Sequence, residues 1–80
     1  MTTYATILGR AIGCRINVDS EMTRVGKWMD LTFPPGTALQ RTYLPIFLEG
    51  IKHHALEQRQ GRSPDSCETI QKEVREFPWP

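Results

Sequence analysis

The run Pro34-Pro35-Gly36 constrains this chain more than any other feature. A proline forces the residue before it into extended backbone, so a regular helix ends there and the chain turns. The segments on either side must therefore be read separately.

Before the break, residues 12–18 alternate: Ile12, Cys14, Ile16 and Val18 against Gly13, Arg15 and Asn17. A period of two is the pattern of a half-buried strand. Asp19-Ser20-Glu21 reads as a turn, and Met29, Leu31 and Phe33 alternate again with Trp28, Asp30 and Thr32. The two runs predict an antiparallel hairpin with one wet face. The rival reading is a helix from Ser20 with Met22, Val25 and Met29 as its stripe, weakened by Gly26. Residues 3–12 read as a helix, with Tyr4, Ile7, Leu8, Ala11 and Ile12 on one face and Gly13 as its left-handed stop, or as a third strand. The helix fits slightly better, although Gly9 costs it about 1 kcal/mol.

After the break, Thr37 and Gln40 have capping-box spacing, and a long helix to about residue 59 follows. Its stripe is Leu39, Tyr43, Ile46, Phe47, Ile51 and Ala55. Leu44 and Leu48 widen it, which predicts burial of the helix middle on more than one side. Pro45 predicts a kink, or a start near Thr42. Gln60-Gly61-Arg62 is a loop. Ser63 or Asp65 would cap a last helix whose face is Cys67, Ile70, Val74 and Phe77, with Pro78 as its stop. Trp79 should fold back on the core. The expected fold is α+β: one domain over residues 1–80, with a small antiparallel sheet packed on two C-terminal helices.

At 80 residues there is little room for an enclosed substrate cavity, so a surface function is favoured. Ten Lys and Arg stand against nine Asp and Glu. Strong nonspecific nucleic-acid binders are far more basic. Residues 1–48 sum to +2 and residues 49–80 to −1, too even a split to name a partner. The two cysteines, Cys14 and Cys67, are too few for a disulfide scaffold and sit on apolar stripes, so each reads as a small buried hydrophobe. Arg10 interrupts any apolar leader, and no run is long enough to span a membrane, so a cytoplasmic protein is expected.

Candidate chemistries are thin. Glu49, His53 and Glu57 recur every four residues, but successive turns are about 5.4 Å apart, so the three cannot surround one metal ion. Cys67 with His53 or His54 lacks an orienting third group. Phosphate loops and zinc spacings are absent, and no cofactor is expected. On the wet face of the hairpin, Arg15, Arg24, Lys27 and Trp28 would form a partner-binding cluster, a tryptophan anchor ringed by cations. The expected function is a non-enzymatic protein-binding module. Small phage-type inhibitors and adaptors, anti-CRISPR proteins among them, share this size and character. The alternative is a small nucleic-acid-binding regulator using the last two helices as a helix-turn-helix, against which Glu68, Glu73 and Glu76 weigh.

Overall fold

The computed structural model describes residues 2–80. Among these described residues four helices follow one another: α1 (Thr2–Gly13), α2 (Asp19–Thr32), α3 (Ala38–Arg59) and α4 (Cys67–Glu76). No strand forms among the described residues, so the expected α+β fold with its antiparallel sheet is replaced by an all-helical one. At 1.5 Å per residue α3 is about 33 Å long. It is the spine of a molecule 37 × 22 × 16 Å in extent.

The alternation over residues 12–18 has a different origin from a strand. Ile12 is still helical, Cys14 and Ile16 are half-buried in the turn, and Val18, 4% exposed, plugs the core. Arg15, at φ 61°, takes the left-handed conformation expected of Gly13, and the amide of Ile16 donates back to the Ala11 carbonyl at 2.9 Å. The second alternation belongs to α2, the rival reading. Val25 and Met29 face the core, whereas Leu31, assigned to the apolar face of the sheet, is 84% exposed. Asp19 and Glu21 lie in the first turn of α2, where the helix dipole favours them. Gly26 stands on its outer face, with nothing within 4 Å of the place a side chain would occupy.

α1 and α3 pack closely because of glycine. A methyl group on Gly9 would lie 2.5 Å from the Ile51 carbonyl oxygen and 2.7 Å from Cβ of His54. One on Gly13 would lie 2.6 Å from the Ala55 carbonyl oxygen. These two residues, one turn apart, form a notch that seats the backbone of α3. Gly13 must therefore stay helical, and the left-handed residue moves on to Arg15. The core seals around the seam with Leu8, Ala11, Phe47 and Ile51.

Local signals hold for α3. Thr37 caps it by accepting from the Gln40 amide, and the helix begins at Ala38 and runs through Pro45. Gly61, at φ 75°, follows its end, and the Arg62 amide closes back on Glu57 at 2.9 Å. In α4 the cap is Ser66, which accepts from the Thr69 amide, rather than Ser63 or Asp65. Asp65 is used otherwise: it pairs with Arg10 at 2.8 Å, while its carbonyl accepts from Nε2 of Gln58 at 3.0 Å. Those contacts fasten the α3–α4 loop to α1 and α3, beside the Cys14–Cys67 disulfide. The cysteines are thus bonded to each other rather than packed as separate hydrophobes. α4 docks Ile70 and Val74 into the same core as α1. None of the helices among the described residues is long and apolar enough to cross a membrane.

Candidate functional site

The four residues expected to bind a partner divide between a turn and a helix. Arg15 sits in the α1–α2 turn, whereas Arg24, Lys27 and Trp28 lie within about one turn of each other on α2. Arg24 is engaged with the tail: its Nε donates to the Pro80 carbonyl at 2.9 Å and its Nη2 to that of Trp79 at 3.1 Å. Lys27 is exposed. Trp28 is half-buried in an aromatic cluster, edge-on to Tyr4 at 5.3 Å and to Phe33 at 6.3 Å. Phe77 and Trp79 complete that cluster against Tyr4, and Trp79 Nε1 donates to the Val74 carbonyl at 2.9 Å. The tail folds back on the core, as its composition suggests.

The other candidate groups also have assigned places. Both sulfurs are consumed in the Cys14–Cys67 bridge, so neither is a thiolate nucleophile in this state. Among the described residues no group of three His, Cys, Asp or Glu side chains converges as a metal site. Glu57 is engaged by Arg62 through two bonds of 2.9 Å, and that hydrogen bonding lowers its pKa from the ordinary carboxylate value. His54 faces the α1 seam, with Nε2 3.3 Å from the Thr6 hydroxyl. Burial, then the neighbouring His53 and Arg10, lower its pKa, and Glu57 opposes them.

The distinctive surface is on α3. Leu44, Leu48 and Leu56 are 37%, 49% and 45% exposed, and Leu39 and Ile46 are more exposed still. The expected double-sided burial of this helix therefore does not occur: α1 covers one strip of it, and α2 and α4 lean mainly elsewhere. Alongside that strip runs an open groove of about 350 Å³. Ile12 of α1 forms one wall. Leu48, Ile51, Lys52, Ala55, Leu56 and Arg59 of α3 supply the rest of its lining. The groove arises because the glycine notch sets α1 deep against α3, while the leucines one step round the helix project past it.

Sequence reasoning assigned Leu39, Leu44 and Leu48 to the core and did not single out Leu56. The signal that could have separated them is arithmetic: α3 carries apolar residues around a wider arc than one short neighbouring helix can cover. No family model, curated protein or solved structure matches the chain.

Proposed function

We propose that this chain is a non-enzymatic protein-binding module, an inhibitor or adaptor acting on a larger complex, and that it binds through the exposed apolar stripe of α3. One observation carries the reading: Leu48 and Leu56 stand exposed in the lining of a formed groove, with Leu44 exposed one turn before Leu48, in a chain with few core residues to spare. Contiguous exposed apolar surface of this kind marks an interaction site. The groove is open, which suits a partner's side chains better than an enclosed reaction. Arg24 and Trp28 act mainly within the fold on this reading, clamping the tail and filling the aromatic cluster. The bridge supports an oxidising compartment as the place of work over a cytoplasm, since disulfides persist where thiols are not kept reduced.

The test is affinity capture from the native host with the bridged protein, read by quantitative mass spectrometry. A folded Leu48→Asp, Leu56→Asp variant should lose the partner that the wild type retains. Undiminished capture by that variant would place the interface elsewhere.

A further inference from the structure

We infer that the occupant of the α3 groove is an amphipathic helix of another protein, with an aliphatic ridge flanked by Asp and Glu side chains. The inference rests on the binding-face reading above. Along α3, Arg41, Leu44, Leu48, Lys52, Leu56 and Arg59 recur every three or four residues and so share one face. These include every Lys and Arg of the helix. Among the described residues none of the three cations is in an ion pair, and no acid lines the groove. Of the two acids of α3, Glu57 is held by Arg62 and Glu49 lies outside the groove walls. The face thus offers leucines for apolar contact and three unpaired cations among them, a complement to carboxylates that flank an apolar ridge on its α3 side.

The shape decides among occupants of that charge. A recess between Ile12 and Leu48 receives projecting side chains, as a helix supplies at every turn, whereas a lipid surface is flat and would leave it empty. A nucleic-acid duplex would meet the cations but bury no leucine. A second copy of this chain is a poor fit. Outside α3 the one large exposed hydrophobe among the described residues is Leu31, and two α3 faces brought together would oppose like charges.

The experiment titrates three probes into isotopically labelled, bridged protein, followed by backbone amide NMR. They are a synthetic helical peptide with a leucine ridge flanked by glutamates, the same peptide with lysines for glutamates, and phosphatidylglycerol vesicles. The acidic peptide should shift the amides of Ile12, Leu48, Ile51 and Leu56 saturably, and added salt should weaken it. Lys52→Glu with Arg59→Glu should weaken that binding by about tenfold or more and make the lysine peptide the better ligand. Failure of the acidic peptide to saturate, equal binding of both peptides, tighter binding to vesicles, or concentration-dependent dimers that occlude the groove would each overturn the inference. The charge reversal also separates this idea from the reading beneath it. If host-partner capture is lost with the leucine variant but kept with the charge reversal, the binding face stands and the acidic occupant falls. If neither variant alters capture, the face itself is refuted.

Discussion

Gly9 and Gly26 each sit inside a helix, and they do opposite things. Gly9 lets the backbone of α3 approach α1 so closely that a single methyl group would strike a carbonyl oxygen 2.5 Å away. Gly26 meets nothing within 4 Å and merely loosens α2. The difference runs through the whole molecule. α1 is gripped on two sides, by the glycine seam with α3 and by α4 with its disulfide. α2 touches α1 lightly and is held chiefly by Val25, Met29 and the aromatic cluster. Helix propensity governs a glycine on an open face, and packing governs one in a seam.

The strongest way to break that contrast is to cut the grip on α1. Opening the Cys14–Cys67 bridge, by a dithiol or by Cys14→Ser with Cys67→Ser, should lower stability by about 4 kcal/mol if the chain-entropy account holds. The bridge closes a sequence separation of 53 residues. Chemical denaturation of both forms checks this; an unchanged midpoint would show that Arg10, Gln58 and Asp65 hold α4 without it. Gly9→Ala should come next, destabilising by about 1–3 kcal/mol despite alanine's better helix propensity. A gain in melting temperature would mean the seam is looser than its geometry.

Arg15→Gly sharpens the same point from the turn. The left-handed φ of 61° opposes any residue with a Cβ, so glycine should stabilise by about 1 kcal/mol. Gly26→Ala should also stabilise, by up to about 1 kcal/mol, because only propensity is at stake. A loss on thermal melting would reveal a neighbour of the outer face of α2.

The smallest effect is a pH dependence at the seam. His54 titrates below its ordinary value in the folded protein, so between that folded value and about 6.5 the unfolded chain holds more protons. Stability should therefore rise with pH through that window and level off above it. His54→Gln should remove this part of the slope without altering the alkaline plateau. A wild-type slope of the same size in that variant would assign it to another group.

How much could be read in advance varied with the range of the forces involved. The cap at Thr37, the extent of α3 and the buried pair Ile70 and Val74 follow from signals a few residues apart, and they stand. The cap of α4 slipped from Ser63 or Asp65 to Ser66 because Asp65 is drawn to Arg10, 55 residues distant in sequence. The groove was half visible. Its leucines and cations show in the sequence, but their exposure depends on where α1 lies.

What the sequence by itself determined is the punctuation and the C-terminal helices: prolines, caps and a 3.6-residue apolar period act through backbone sterics and hydrogen bonds between near neighbours. Tertiary structure alone decided that residues 12–33 hold a turn and a helix rather than a hairpin. The period of two there is the coincidence of a helix end, a bridging cysteine and a core plug at Val18, each satisfied by partners far along the chain. The same holds for Gly9 and Gly13. Their missing side chains carry no local signal, and their worth exists only once the carbonyls of Ile51 and Ala55 arrive beside them.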